Sequence, residues 1–388
     1  MIYLDNAATT KPLESVVDAM LPFLKEEYGN ASAVYEIARR SKKAVFTARK
    51  ECAALIGASP SDIFFTSGGS ESDNWAFIGA YDHFRKSNSS AGHIITTQIE
   101  HHAILRSAEY LESLGVSVTC LKPDSDGFIT PEQVAESIRP DTFLVSVMTA
   151  NNEIGTIEPV REIADMVRRI RRDILIHTDA VQAYGQIDLT DIAGCVDMLS
   201  ASAHKLGGPK GVGLLFIKDG VKISPFVRGG MQESGRRAGT ENIPGIVGFG
   251  AAAEAAFAGI DAKIAKETEL RDRFFAKIGQ IPDILINGPI TEGDHSKRLP
   301  GNISVCVKGI EGESALIMLD REGICASSGS ACASGAREPS HVLKAIGRAA
   351  DESKGSMRFT LSDRNTEEEI DTAACKLEEI VRKLRSGR

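Results

Sequence analysis

Between Ile63 and Ile217 the chain alternates short apolar runs with stretches of helical periodicity, and this alternation limits the fold more than any other feature. The runs are Ile63–Thr66, His93–Thr97, Val116–Leu121, Phe143–Met148, Ile174–Thr178, Val196–Leu199 and Val212–Ile217. Apolar runs of this length suit strands buried on both faces, and intervening helices supply the crossovers that parallel strands require. The expectation is an α/β domain with a mostly parallel seven-stranded sheet covered by helices on both faces.

Upstream, Pro12 opens a predicted helix with Val16, Val17, Met20, Leu21 and Leu24 on one face, and a second helix runs from about Val34 to Ile56. The rhythm changes near Ile243. A small-residue helix over Ile243–Ala258 leads into a charged amphipathic one over Ile260–Ile278, then strands near Ile284, at Ile303–Val307 and at Arg358–Leu361. Thr366-Glu367-Glu368-Glu369 reads as the capping box of a last helix with the stripe Ile370, Ala373, Leu377, Ile380 and Leu384. The expected division is a large domain over 16–257 and a smaller α+β domain built from 1–15 and 258–388.

With 42% apolar and 25% charged residues the chain is not expected to be disordered, and a net charge of −8 argues against a general nucleic-acid surface. No apolar run approaches the roughly 18 residues of a membrane span, so no membrane partner is expected. Met1-Ile2-Tyr3-Leu4-Asp5 lacks a basic region and a signal-peptide core, so the expected compartment is the cytoplasm. Seven cysteines without a CxxC pair fit neither a disulfide framework nor a zinc cluster. Cys52 and Cys375 fall in helical patterns and read as small core residues, and no metal site is expected.

Several polar groups fall at predicted strand ends, where open α/β sheets bind ligands. In Ser202-Ala203-His204-Lys205-Leu206-Gly207-Gly208 a lysine follows a strand and precedes a glycine-rich turn. A desolvated amine there can form a Schiff base with a carbonyl cofactor, though a surface lysine in a turn reads equally well on these residues alone. Ser67-Gly68-Gly69-Ser70 opens a helix and is either a phosphate cup or an ordinary glycine turn. Asp179, with Gln182 three residues on, could hold a pyridinium proton or simply cap a helix. His101, in Glu100-His101-His102, could stack on a flat ring and shuttle protons, or be an ordinary polar histidine. Together, lysine, acid, histidine and anion turn are the protein groups that pyridoxal phosphate requires.

At this point the chain resembles the cysteine desulfurases of the NifS/IscS type, members of the class V aminotransferase family within the fold-type I pyridoxal-phosphate enzymes. The resemblance covers essentially the whole chain. It is carried by Tyr3-Leu4-Asp5-Asn6-Ala7-Ala8-Thr9-Thr10, Phe65-Thr66-Ser67-Gly68, Glu100-His101, Asn151-Asn152-Glu153-Ile154-Gly155 and His177-Thr178-Asp179-Ala180-Val181-Gln182. Ser202-Ala203-His204-Lys205, Arg237-Ala238-Gly239-Thr240, Ser327-Ser328-Gly329-Ser330-Ala331-Cys332 and Arg358-Phe359 complete it.

The resemblance implies that Lys205 holds pyridoxal phosphate as a Schiff base, that His101 stacks on the ring and acts as acid–base, and that Asp179 holds the ring nitrogen. It implies that Asn152 and Gln182 bind the ring hydroxyl region, and that Gly69, Ser70, Ser202, His204 and a second subunit's Thr240 hold the phosphate. Arg358, with Asn152, would bind the carboxylate of L-cysteine, and Cys332, on a loop of the small domain, would take the sulfur as a persulfide. The product would be alanine, the assembly a homodimer, and the sulfur receiver an iron–sulfur scaffold or a thiolation partner.

The chain departs from the family pattern at Ala31, Ala33 and Tyr35, where such proteins read Gly-Asn-Pro-Ser-Ser-x-His, and at Gly69-Ser70, where they read Ala-Thr. Ser70 keeps a hydroxyl; Tyr35 leaves the role of its position open. Cys325, seven positions before Cys332, reads as a buried thiol, with a regulatory disulfide as the alternative. Gly248-Phe249-Gly250-Ala251-Ala252-Ala253 matches a loose dinucleotide pattern, but no strand precedes it, so a nicotinamide dehydrogenase is not expected. A nonenzymatic scaffold would leave Lys205 and Cys332 idle. Selenocysteine lysis, or another lyase or aminotransferase reaction on the same fold, is the nearest alternative; those reactions need no protein thiol as acceptor.

Overall fold

All seven apolar runs become strands of one sheet. In the computed structural model, which describes residues 1–290, 295–329 and 340–387, two short strands and a three-stranded sheet join them. In chain order the strands are β1 (Ile2–Tyr3), β2 (Ile63–Thr66), β3 (His93–Thr97), β4 (Ser117–Leu121), β5 (Thr142–Ser146) and β6 (Leu175–Asp179). Then come β7 (Met198–Ser202), β8 (Gly213–Ile217), β9 (Ile284–Ile286), β10 (Asn302–Val307), β11 (Ile324–Cys325) and β12 (Ser356–Thr360). The large sheet has the order β2-β8-β7-β6-β5-β3-β4. Only β8 runs against the others, because a short glycine-rich turn returns it directly beside β7.

Helices α1 (Glu14–Lys25), α2 (Glu36–Ala54), α3 (Gly69–Phe84), α4 (His102–Ser113), α5 (Pro131–Ser137), α6 (Val160–Ile170) and α7 (Thr190–Cys195) surround this sheet. One face packs Cys52, Ile56, Ile163, Val167 and Phe249; the other packs Trp75, Phe77, Ile104 and Leu111. These faces explain why the strands read as continuous apolar runs rather than alternating ones.

Residues 243–278 form a single helix, α8 (Ile243–Ile278), of 36 residues, not two. A Cβ at Gly259 would meet open space, and one glycine costs only about 1 kcal/mol of helix stability, which does not break it. The first part of α8 packs Ile246, Phe249 and Ala253 into the large core. Its last turns place Leu270, Phe274 and Ile278 in a second core with Ile303, Phe359 and Leu377. One 18-residue window of α8 is apolar enough to cross a membrane by composition, contrary to the sequence expectation. Of that window 44% is buried inside the protein.

The second core lies under the antiparallel sheet β12-β10-β9 and helices α9 (Gly312–Arg321) and α12 (Glu367–Ser386), while α10 (His341–Ala345), followed by α11 (Ala350–Ser353), packs Val342 and Leu343 against Ile99, Met148 and Cys306 instead. The expected capping box of α12 is present: Glu369 N donates to Thr366 Oγ1 at 3.2 Å, and Thr366 N donates to Glu369 Oε2 at 3.1 Å. β1 pairs in parallel with β11, tying the N-terminus to this second unit.

Two sequence expectations fail at the surface. Cys375 is exposed, because the buried stripe of α12 is Ile370, Ala373, Ala374, Leu377, Ile380 and Val381 and position 375 faces away. In α1 only Val16 is buried, while Val17, Leu21 and Leu24 are exposed. α1 packs along α8 with one edge, and among the described residues nothing covers Val17, Leu21 and Leu24.

Candidate active site

The carboxyl ends of β2, β3, β5, β6 and β7 open toward the second unit, and a cavity of about 270 Å³ lies between them. Gly69, Ser70, His101, Asn152, Asp179, Gln182, Ser202, His204, Lys205 and Arg358 all line it. Ten of the twelve residues singled out by sequence therefore converge on one cavity. Thr240 does not; it lines a separate cavity with Ser67, Gly211 and Arg237. Cys332 lies outside the described residues.

Lys205 ends the 3-10 turn Ala203–Lys205 that follows β7. Its Nζ donates to the carbonyl oxygens of Ala7 and, at 2.9 Å, Ala8. Gln182 Nε2 donates to the same Ala7 carbonyl at 3.0 Å. The polar turn after β1 thus forms one wall of the cavity.

Asp179 is the last residue of β6 and is buried. Its Oδ1 accepts from Val181 N at 2.9 Å, so it caps the following turn and faces the cavity at once. Burial pushes its carboxyl up, while His101, the Val181 N–H and Lys205 pull it back toward the anion. His101 does not end β3, which stops at Thr97, but N-caps α4: its Nδ1 accepts from Ala103 N at 3.1 Å. That bond fixes the ring's orientation, with Nδ1 as the acceptor. His204 is anchored by Thr9 Oγ1 at 3.1 Å, and burial lowers it to about 4, so it is neutral near pH 7.

The first turn of α3 presents Gly69 and Ser70 to the cavity, with unpaired helix-end N–H groups suited to an anion. A Cβ on Gly69 would come within 2.6 Å of Val181 Cγ2, so the alanine of the family pattern would require the Val181 side chain to shift. On the opposite wall Arg358 is almost fully buried in β12. Its Nη2 donates to Asp5 Oδ1 and Ser327 Oγ, each at 2.9 Å, and its Nη1 donates to the Asn152 carbonyl at 2.9 Å. Arg358 Nε is buried without a hydrogen-bond partner among the described residues.

Sequence reasoning missed Asp5, which holds Arg358, and three buried carboxyls. Glu100, beneath His101, takes hydrogen bonds from Thr97 Oγ1 at 3.0 Å and Met148 N at 2.9 Å, and burial pushes it up to about 8. Glu153 accepts from Ser340 Oγ and is raised by burial. Asp73 lines the cavity floor. The available signal for Asp73 was an acid three positions past Ser70, next to Trp75-Ala76-Phe77. His341 was also missed: its ring lies 4.7 Å from that of His102, and its Nε2 donates to the Glu100 carbonyl at 3.0 Å.

An amine, a buried carboxyl, an oriented imidazole and a helix N-terminus on one cavity fit a flat carbonyl-bearing ring with a basic nitrogen and a phosphate. Pyridoxal phosphate is such a group. The buried Asp73 Oδ1, without a partner among the described residues, marks polar ground beneath that position.

The family model described as Aminotransferase class-V matches residues 2–372. A cysteine desulfurase IscS of Clostridium botulinum is 47% identical over 386 residues, covering 99% of this chain and 95% of the relative. The cysteine desulfurase IscS of Methanosarcina thermophila is 46% identical, covering 99% of this chain and 93% of the relative. Among solved structures, a NifS-like protein superposes with a TM-score of 0.91 at 37% identity, covering 99% of this chain and all of that one. A structure titled SspA in complex with cysteine superposes with a TM-score of 0.79 at 34% identity, covering 94% of this chain and all of that one.

Proposed function

The chain belongs to the class-V aminotransferase family and is a pyridoxal-phosphate-dependent cysteine desulfurase, and on that premise we propose how its residues divide the work. The observation that carries the assignment is the convergence of Lys205, Asp179, His101 and Arg358 on one cavity.

Lys205 holds the cofactor through Nζ, and Asp179 holds its ring nitrogen. Gly69, Ser70, Ser202 and His204 hold the phosphate, and Asn152 and Gln182 the ring hydroxyl region. Pyridoxal phosphate, when bound, supplies an electron sink that no side chain offers. Arg358 and Asn152 orient the substrate carboxylate. A buried guanidinium already fixed by Asp5, Ser327 and the Asn152 carbonyl binds with little loss of side-chain freedom. His101, pinned at Nδ1 by Ala103 N, holds or returns a proton at Nε2. Cys332 accepts the sulfur: the carbon–sulfur bond of L-cysteine breaks, a sulfur–sulfur bond forms on Cys332, and alanine leaves.

Thr240 completes the phosphate site of a second copy. The support is its absence from its own chain's cavity and the uncovered apolar edge of α1, with exposed Tyr28, Val34, Tyr35 and Phe46 nearby in sequence. The two cores support a division near residue 257, inside α8. The six described cysteines are all free, which supports a reducing compartment such as the cytoplasm. The sulfur passes on to an iron–sulfur or thiolation acceptor.

The test is incubation with L-cysteine, reading alanine and sulfide with and without a reductant, and selenocysteine in parallel. Stoichiometric alanine from L-cysteine supports the reading. Turnover of selenocysteine alone would replace it with the lyase reading.

A further inference from the structure

Asp73 lies in the second turn of α3 and lines the cavity beneath Asp179. Its residue surface is 1% exposed. One carboxyl oxygen of Asp73, one of Asp179 and a ring nitrogen of His101 lie within 4.8 Å of one another. Asp73 Oδ1 has no hydrogen-bond partner among the described residues, and His177 Nε2 lies 3.8 Å from it. That ring is already held by Ser146 Oγ at 2.9 Å and Ser200 Oγ at 3.0 Å. Burial lowers His177 to about 3, so it brings no positive charge.

Two carboxyl groups this close and this deeply buried titrate as a unit, and one shared negative charge costs less than two. The anion settles on Asp179, which has the Val181 N–H at 2.9 Å and the favourable charges of His101 and Lys205. Asp73 has the Ser200 hydroxyl in its favour, against burial and the charges of Asp179 and Glu100.

We propose that Asp73 holds the proton of this carboxyl pair, as a positioning residue that leaves Asp179 the single anion facing the cofactor's ring nitrogen. A proton on Oδ1 turns a partnerless acceptor into a donor, which is what an adjacent buried carboxylate lacks. The inference rests on the pyridoxal phosphate reading of the cavity.

The experiment compares the wild type, Asp73→Asn and Asp73→Ala, each stripped of cofactor and then reconstituted with pyridoxal phosphate. Asparagine keeps the shape and a donor but cannot ionise; alanine removes both. Infrared difference spectra at pH 7 should show that Asp73→Asn removes a protonated-carboxyl C=O band, in the stripped and the reconstituted protein alike. The dissociation constant for pyridoxal phosphate should stay within about threefold of wild type in Asp73→Asn and weaken about tenfold in Asp73→Ala, the scale of a lost hydrogen bond to a charged group. The pH titration of the visible absorbance should overlay for wild type and Asp73→Asn and shift for Asp73→Ala.

Loss of carboxylate bands instead of the C=O band would show Asp73 ionised and overturn the proposal. A tenfold weakening in Asp73→Asn, or none in Asp73→Ala, would do the same. If the wild type takes up no pyridoxal phosphate, the cofactor reading fails, while the infrared band of the stripped protein still reports the proton on Asp73.

Discussion

Arg358 Nη2 meets Asp5 Oδ1 at 2.9 Å, joining the turn after the first strand to the last strand of the chain. Ser327 Oγ donates to the same oxygen at 2.9 Å, so the guanidinium is braced before any substrate arrives. The brace ties the N-terminal turn to Arg358 as well as to Lys205, which its Ala7 and Ala8 carbonyls hold.

Replacing Arg358 should therefore raise KM for L-cysteine while visible cofactor absorbance persists. Arg358→Lys keeps the charge but loses the planar fork. Arg358→Ala removes a buried charge partner, a loss on the order of 2–5 kcal/mol. Part of that loss comes from stranding Asp5. Adding Asp5→Asn to Arg358→Ala separates the two effects: the double variant should recover melting temperature but not KM. Recovery of both would mean that Arg358 serves only the fold.

Glu100 gives a pH dependence of stability with a definite sign. Its carboxyl is raised by burial from 4.5 to about 8, so between those values the folded state holds a proton that the unfolded state has lost. Stability from this group is present below pH 4.5 and falls as pH rises toward 8, by at most about 5 kcal/mol over the whole interval. Glu100→Gln cannot lose a proton, so its melting temperature relative to wild type should climb between pH 5 and pH 8. Parallel curves for the two proteins would show that Glu100 is not held neutral.

The architecture was legible because its signals are local. Fully buried strands leave apolar runs, the glycine turn before α3 precedes a helix, and Thr366 with Glu369 marks a helix start. The failures arise where a neighbour decides. Gly259 and the break in composition at residue 258 suggested two helices, but packing on both cores carries α8 straight through. Cys375 and Cys52 lie in similar helical patterns, and only the rotation of each helix against its core separates exposed from buried. In the site, Asp179 ends β6 and Lys205 closes the short turn after β7, places that periodicity locates, whereas His101 stands four residues past β3 as the N-cap of α4. Asp73 lines the cavity, and Asp5 and Glu100 support it through Arg358 and Met148, by pairings across the fold that one sequence does not display.

Thr240 should make the enzyme an obligate pair. Arg237, three residues before it, is held by Glu71 in a two-point bond of 2.8 and 3.0 Å, so the segment is set by the same helix, α3, whose first turn lines the cavity. Sedimentation at assay concentration should give a dimer. Thr240→Val should keep the dimer but release pyridoxal phosphate faster, with the loss of one charge-assisted hydrogen bond worth about 1.5–3 kcal/mol. Fully active monomers would remove Thr240 from the site.

Cys332 follows Gly329 by three positions, and Gly329 lines the cavity with its carbonyl 3.4 Å from Arg358 Nη1. On the far side of the segment, Ser340 Oγ donates to Glu153, which also lines the cavity. The described ends of the segment carrying Cys332 are thus both fastened at this cavity. Cys325, the other thiol nearby in sequence, is half-buried on β11 and does not line the cavity. Sulfur transfer needs a thiolate that can reach the substrate sulfur. Cys332→Ser should therefore bind pyridoxal phosphate and L-cysteine with unchanged absorbance shifts, yet release almost no sulfur to thiols. Alkylation of the wild type before substrate should have the same effect. After one turnover without reductant, the peptide containing Cys332 should carry one additional sulfur by mass. If that sulfur appeared on the Cys325 peptide, and Cys332→Ser still turned over, the acceptor would be Cys325.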